Sequence, residues 1–310
     1  TWSIYTITNK VAHFAECATY KPYHIPHYKE NIMNMTKLFK LAFATVALNI
    51  GTLLWYLSRL ADKNAPNSSW GKEAHKLYVW LKNGMIAKPP FTIFTKGNIK
   101  LPFYSFSVLP IVTCSGAGEC AKYCYSLKAW RYPSAFFRQL QNTLLVITQS
   151  RYLVDAWYDL KHGVDIRLYV DEDFDSVDTV DFWFGLCNKR KDLKVYGYSK
   201  SWTELLDYKG TLPTNYLLNM SSGHNHTKRT ENRIKKLSIV RGGFITVPVD
   251  KTVVGKYKTR PYLDSLKQSA AEQGIDKYFA CTGKCAECTP KGHACGLDTF
   301  KDVPILIGIH

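Results

Sequence analysis

Between residues 103 and 274, short apolar runs alternate with longer segments of helical period. FYSFSVLPIV (103–112), DIRLYV (165–170), LKVYGYS (193–199), NYLLNMSS (215–222) and GGFITVPV (242–249) read as strands. The segments between and after them read as helices. The longest covers 133–163, with Pro133 in its first turn and Gly163 at its stop. Ser176 caps the next, VDTVDFWFGLCNKR, and further helices are expected at SWTELLDYKG, HTKRTENRIKKL and YLDSLKQSAAEQG. Strands alternating with helices of this length build a parallel sheet, because each parallel connection needs a crossover. The expected class is α/β: a partial parallel (β/α) barrel or an open parallel sheet. It carries an N-terminal helical extension and a C-terminal cysteine-rich, metal-binding segment. Chemistry in such folds collects beyond the C-terminal ends of the strands.

The residues just past each strand are therefore the candidates for a site. After the first strand comes CSGAGECAKYCY, with Cys114, Cys120 and Cys124 in one glycine-containing loop and an aromatic, Tyr123, before the last. The second ends in Asp171-Glu172-Asp173-Phe174, the third in Tyr198-Ser199-Lys200-Ser201, and the fourth in Ser221-Ser222-Gly223-His224. Three close thiolates can hold three irons of a four-iron–four-sulfur (4Fe–4S) cluster, or zinc with one further ligand. Carboxylates at a strand end can bind the amine or ribose of a cofactor, or cap helices. Lys200 can face a carboxylate or phosphate. A second group, Cys281, Cys285, Cys288 and Cys295, supplies four thiolates from one loop-rich segment, with His293 as a substitute ligand. That spacing points to metal but does not separate zinc from iron–sulfur.

The nine cysteines cluster at short spacings, which suits metal ligation in a reducing compartment such as host cytoplasm better than a disulfide framework. Cys187 falls in an apolar helix and reads as core. Lysine and arginine total 41 against 25 acids, a formal net charge of +16. That surplus favours polyanionic partners: nucleic acid, an anionic membrane or a phosphorylated substrate. The basic helix from Thr227 to Leu237 carries Lys228, Arg229, Arg233, Lys235 and Lys236, as a phosphate-tracking element or as a solvated outer helix. No glycine-rich phosphate loop, Gly-x-Ser-x-Gly elbow or His-Glu-x-x-His motif occurs. Nucleotide hydrolysis, serine hydrolysis and zinc proteolysis therefore lack their signatures.

The expected organisation is a 1–95 extension, a 96–250 alternating core and a 251–310 segment containing a helix and the second cysteine group. Residues 1–34 show no period and read as an irregular arm, or as residues upstream of a natural start at Met33 or Met35. LFKLAFATVALNIGTLLWYL (38–57) has the length of a membrane span. Thr45, Asn49, Thr52, Tyr56, Arg59 and Lys63 draw a polar stripe along it, which favours a buried apolar helix over 38–60. A membrane anchor is the alternative.

From about residue 100 to 300 the chain resembles the phage gene product eighty-eight family. The resemblance rests on the CSGAGECAKYCYS loop, RLYVDEDFDS, VYGYSKSW, LLNMSS and CTGKCAEC. Family members read Gly-Asp-Phe where this chain has Glu172-Asp173-Phe174. The arrangement also looks like radical S-adenosylmethionine (SAM) enzymes, which place three cysteines after the first barrel strand. Here the spacing is Cys-x5-Cys-x3-Cys instead of their Cys-x3-Cys-x2-Cys. That second resemblance implies a 4Fe–4S cluster on Cys114, Cys120 and Cys124. SAM would be held with the help of Tyr123, Asp171, Asp173, Lys200 and Ser222. Reductive cleavage of SAM would then yield a 5′-deoxyadenosyl radical that takes hydrogen from a substrate, nucleic acid among the candidates. The second cysteine group would carry an auxiliary cluster or zinc. No catalytic side chain is assigned. The alternative is a non-catalytic metal- or iron–sulfur-stabilised phage protein that binds DNA or joins an assembly or replication machinery.

Overall fold

The structure, a computed structural model, describes residues 38, 40–42, 45, 49–63, 68–98, 101–110, 113–285, 288–290 and 292–309. The expectations for residues 1–34 lie outside the described residues. The chain divides into two compact units, which differ from the sequence-based division. One takes Thr1–Thr92, Val108–Val112 and Ser126–Thr148; the other takes Ile93–Ser107, Thr113–Tyr125 and Gln149–His310.

The first unit is helical, with α1 (Ile50–Lys63), α2 (Ser69–Lys82) and α3 (Pro133–Ile147). The apolar stretch is not one helix over 38–60. Asn49 stands outside helix, and its Oδ1 accepts the Thr52 N–H at 2.9 Å, so it caps α1. Leu53 and Leu57 of α1 are buried, whereas Ile50 and Trp55 are exposed. Among the described residues no helix is long and apolar enough to cross a membrane. Ser68 caps α2 by accepting the Gly71 N–H, and Gly84, in left-handed backbone, follows its end. α3 buries Phe136, Phe137, Leu140 and Leu144. Its Gln141 amide bonds both the N–H and C=O of Phe91, at 2.8 and 2.9 Å.

The expected 133–163 helix is two helices. α3 stops at Ile147 and α4 (Arg151–Tyr158) starts anew in the second unit. Gln149 adopts φ 46°, and Ser150 caps α4 through the Tyr152 N–H. A left-handed residue cannot continue a right-handed helix, so the polar Thr148-Gln149-Ser150 ends one and begins the other.

The second unit is built on one eight-stranded sheet. Its strands are β1 (Thr95–Asn98), β2 (Leu101–Ser105), β3 (Asp165–Leu168), β4 (Lys194–Ser199), β5 (Tyr216–Ser221), β6 (Val240–Val247), β7 (Phe279–Ala280) and β8 (Ile305–Gly308). The spatial order is 1-2-3-4-5-6-8-7; β1 pairs antiparallel with β2, and every other pair is parallel. The first expected strand ends at Ser105, short of 112, and the strands near 165, 193, 215 and 242 form within a few residues of expectation. Helices α5 (Val177–Lys189), α6 (Trp202–Asp207), α7 (Lys228–Ile234) and α8 (Arg260–Glu272) complete the unit.

From β2 to β6 the sheet order follows chain order without reversal. Right-handed crossovers in such a series carry the helices to one face. The side chains alternate accordingly. Tyr216 meets Phe184 of α5, while Val247 and Leu306 pack with Tyr262 and Leu266 of α8. On the opposite face, Phe103, Tyr196, Tyr198, Leu217, Phe244 and Ile305 pack with Ala294 and Cys281, Cys285, Cys288 and Cys295. The cysteine-rich segment therefore covers the face that the helices leave.

Arg241 of β6 locks that cover in place. Its guanidinium is fully buried and donates to Asn219 Oδ1 (2.6 Å) and to the carbonyls of Phe300 (2.9 Å), Val303 (2.8 Å) and Gly243 (2.9 Å). Removing it leaves these buried acceptors unmet. Arg241→Met should lower the unfolding free energy by about 3 kcal/mol or more, read in urea denaturation as a lower midpoint at unchanged slope.

Candidate functional site

The C-terminal ends of β3 and β4 are joined by one carboxylate. Asp173 is buried; its Oδ1 accepts from the Phe174 N–H (2.8 Å) and the Ser199 hydroxyl (2.6 Å), and its Oδ2 from the Lys200 N–H and the Ser201 N–H (3.1 Å). Burial still raises its carboxyl above the ordinary range, while these bonds pull the other way. The sequence places Asp173 at the cofactor. The structure commits its oxygens to shaping the loop after β4 instead.

The first cysteine loop lies across this platform. Gly118 and Cys120 donate their N–H groups to the Gly223 carbonyl at 3.1 and 3.2 Å, and Asn225 donates to Gly116 at 3.2 Å. The Ser115 hydroxyl donates to Ser201 Oγ at 3.1 Å. The glycines of CSGAGEC are steric requirements. A Cβ on Gly116 would sit 1.7 Å from the Lys200 carbonyl oxygen, and one on Gly118 would sit 2.7 Å from the His224 carbonyl carbon. Behind the loop, the Trp202 ring lies 4.0 Å from the His224 ring and stacks on His226 at 4.9 Å. Lys200 extends over the same end of the sheet and donates to Ser221 Oγ at 2.8 Å. Ser222, the expected ligand, turns to β6 and shares a 2.9 Å bond with Thr246. Asp171 lies beside Glu172, near enough to raise its carboxyl further. The side chain of Tyr123 lies outside the described residues.

Glu172 is the site residue that the sequence does not assign. It follows β3 at φ 103°, in the left-handed region where the family's glycine would sit freely. Its Oε2 accepts from the Thr113 hydroxyl and from Cys114 Sγ, the latter at 3.7 Å, while its buried Oε1 has no hydrogen-bond partner. Burial pushes the Cys114 thiol well above its usual range; Glu172 and Asp173 push it further, and Lys200 opposes them. Burial also raises the Glu172 carboxyl. The signal for this residue is the departure from Gly-Asp-Phe, which marks an altered loop without naming the contact. Cys124 acts on Cys114 through space, and Cys120 and Cys124 are half-buried on the same loop.

The second group sits on the helix-free face. Cys281 N–H continues the β7–β8 pairing by donating to Leu306, at 2.8 Å. The four sulfurs act on one another: burial, then Cys285 and Cys288, push the Cys281 thiol up to about 11, and burial and Cys281 contribute to pushing Cys295 up to about 12. Arg167 of β3 pulls Cys281 and Cys285 down, and its guanidinium lies 4.5 Å from the Tyr198 ring centre. Cys288 Sγ accepts the Ala294 N–H at 3.3 Å and donates to the Gly292 carbonyl at 3.8 Å. Gly283 draws the Cys281 thiol back down and Tyr198 does the same for Cys295. His293, the substitute ligand, lies against Phe103 and Tyr196 with ring centres 5.0 and 4.4 Å away. Its buried Nδ1 has no partner, and burial lowers its pKa.

All eight described cysteines are free thiols, and Cys187 is core. Among the described residues no group of three or more His, Cys, Asp or Glu side chains stands ready-made around a metal position. The thiols of the second group are neighbours and Cys124 acts on Cys114 in the first, without a closed ligand set in either.

A family model described as Gene product 88 matches residues 69–291 of the chain. No curated protein and no solved structure matches it.

The strain at Glu172 is open to a direct test. Glu172→Gly removes a side chain from left-handed backbone and takes a buried carboxyl away. Without added metal it should raise the unfolding free energy by about 1–2 kcal/mol, read from denaturant midpoints against the parent chain.

Proposed function

We propose that this chain, which belongs to the gene product 88 family, is a metal–thiolate phage protein that engages nucleic acid. Its two cysteine groups would each hold an inorganic centre, one at the mouth of the parallel sheet and one on the helix-free face. The observation that carries this reading is the second group itself: four buried or half-buried thiols gathered against one face of the sheet, one of them accepting a backbone N–H at 3.3 Å. Neutral thiols are weak acceptors, whereas metal-bound thiolates are stabilised by such donors.

The fit to a thiophilic ion is chemical as well as geometric. The buried thiols are pushed toward the protonated form. A divalent ion or cluster displaces those protons and supplies the charge that burial makes costly. Arg167 and Arg241 moderate the negative charge around the second group. The Ala294 amide holds the Cys288 sulfur in place. When bound, a structural ion would fix the 281–295 segment against the sheet.

The polyanion part rests on the charge surplus of +16 and on α7. Lys228, Arg229 and Arg233 are exposed along it and Lys235 and Lys236 just past its end, with Lys228 and Lys235 sharing Glu231. The helix begins shortly after His226, whose ring bonds the Lys200 carbonyl beside the first cysteine loop. A nucleic-acid strand running along α7 would pass close to the sheet mouth.

One observation favours a second reading, the radical-SAM-like enzyme. The Cys114 loop follows the first parallel strand of a sheet whose order runs 2-3-4-5-6, as in a partial (β/α) barrel. A 4Fe–4S cluster there would supply reductive cleavage of SAM. Asp173 and Ser222 are spoken for, so Asp171, Lys200 and Ser221 would have to receive the cofactor.

Anaerobic purification with zinc, iron and acid-labile sulfide counts per chain decides between these. The proposal expects metal at both groups, and removal by a chelator should lower the thermal midpoint. Sulfide at the first group, with 5′-deoxyadenosine formed from SAM and a reductant, would move the assignment to the enzyme. A chain without metal would contradict both. For nucleic acid, the slope of log Kd against log salt should fall by about 3 on combining Arg229→Ala, Arg233→Ala and Lys236→Ala; an unchanged slope would remove α7 from the interface.

A further inference from the structure

Strands β2 to β8 are all parallel, so their C-terminal ends lie along one edge of the sheet. Charge along that edge is sorted. Asp171, Glu172, Asp173 and Asp175 follow β3. Past β5 and β6 the exposed charged side chains are mostly basic: Lys228 and Arg229 in the first turn of α7, then Lys251, Lys256 and Lys258 in the connection to α8. Lys284 follows β7 at the end of the row. We propose that the 250–259 connection is a second nucleic-acid contact, which carries the path of a bound nucleic acid from the start of α7 across the ends of β6, β8 and β7. This rests on the reading of the chain as a nucleic-acid-binding protein and names a further surface that the partner covers.

The connection is a built surface. Three successive turns close on hydrogen bonds from the Val253 N–H to the Asp250 carbonyl (3.0 Å), from Lys256 to Val253 (3.0 Å) and from Thr259 to Lys256 (2.9 Å). Gly255, at φ 79°, supplies the left-handed residue among them. Val253 is buried with Val247, Leu266 and Leu306, and the Tyr257 ring meets Tyr262 edge-on at 5.4 Å. With these two anchors turned inward, Lys251, Lys256 and Lys258 stand exposed beside them. Tyr257 also lies on the backbone of Gly283, where an added Cβ would come within 2.2 Å of its ring. The lysine-bearing turns are thus held against the segment that carries the second cysteine group. Backbone ordered in advance removes part of the cost of binding.

Charge and shape both fit a nucleic acid. The acids nearest the lysines are engaged: Asp250 Oδ1 accepts the Thr252 N–H and hydroxyl at 2.8 and 2.7 Å, and Asp264 pairs with Arg260 at 3.0 Å. Neighbouring strands stand about 4.8 Å apart, so the row from β5 to β7 spans about 14 Å, long enough to meet several phosphates of one strand. The acids gathered past β3 oppose phosphate there and direct the path toward β7. A membrane surface would take apolar side chains along with the charge. Among the described residues, Leu263 is the one large apolar side chain exposed in this connection and α8.

Binding of the full chain to single-stranded and duplex DNA across a salt series tests this. Lys251→Ala, Lys256→Ala and Lys258→Ala combined should reduce the slope of log Kd against log salt by about 2–3. Lys161→Ala, Lys189→Ala and Lys191→Ala combined remove the same charge at the opposite edge of the sheet, where β3 and β4 begin, and should leave the slope as it is. All six lysines are exposed, so both triple variants keep the fold, verified by unchanged urea midpoints. An equal loss of slope in both triples would reduce the effect to net charge and overturn the proposal. If the first triple keeps the parent slope while the α7 variant loses it, the chain binds nucleic acid without this connection. If the parent shows no salt-dependent binding to either DNA, the broader reading fails and this surface with it. Phosphatidylserine vesicles held by the same lysines, with no DNA bound, would assign the row to a membrane and overturn it as well.

Discussion

Everything at the sheet mouth hangs on the Asp173 carboxylate. By gathering donors from residues 174, 199, 200 and 201, it turns the ends of β3 and β4 into one surface. The first cysteine loop is laid on that surface through Ser115 and Ser201 and through the approach of Gly116 to Lys200. Buried carboxylates hold their place only when their acceptor sites are filled. A carboxylate so occupied is a poor choice for a ligand that must come and go. The neighbouring Glu172 is its opposite: one oxygen held, the other unmet.

The second cysteine group depends on a different constraint, the single direction of the crossovers. Because the helices gather on one face, the other face needs a cover, and the 279–300 segment supplies it. That segment has little regular structure of its own; β7 is two residues long and the remaining elements are short 3₁₀ turns. Arg241 ties its far end, and Asn219 holds the Cys295 carbonyl at 2.9 Å. A loop-rich cover of this kind gains most from a metal, since cross-linking its thiols removes conformations that packing alone leaves available.

Much of the fold was legible in the sequence, and for a physical reason. The runs DIRLYV, LKVYGYS and NYLLNMSS are short, apolar and bounded by turn-forming residues, so strand length and burial agree. Segment 133–163 misled because helical period persists across Thr148-Gln149-Ser150, while the break lies in one left-handed residue that periodicity does not register. β8 was missed because its four residues come directly after a turn with Asp302 in left-handed backbone. At the sheet mouth, the order of strands placed the first cysteine loop and Lys200 past strand ends, where the structure has them. Asp173 was found for its place but not its task, which depends on amides near in space and distant in sequence. Glu172 shows the limit most clearly: its type was visible as an exception, and its contact with Cys114 exists only once β3 and the cysteine loop are folded together.

Native mass spectrometry of the intact chain, isolated anaerobically without chelator, addresses the central claim most directly. The account predicts a mass excess corresponding to two bound metal centres, with the clustered cysteines shielded from alkylation until the metal is stripped. A chain at its bare sequence mass, with those thiols alkylated at once, would contradict it.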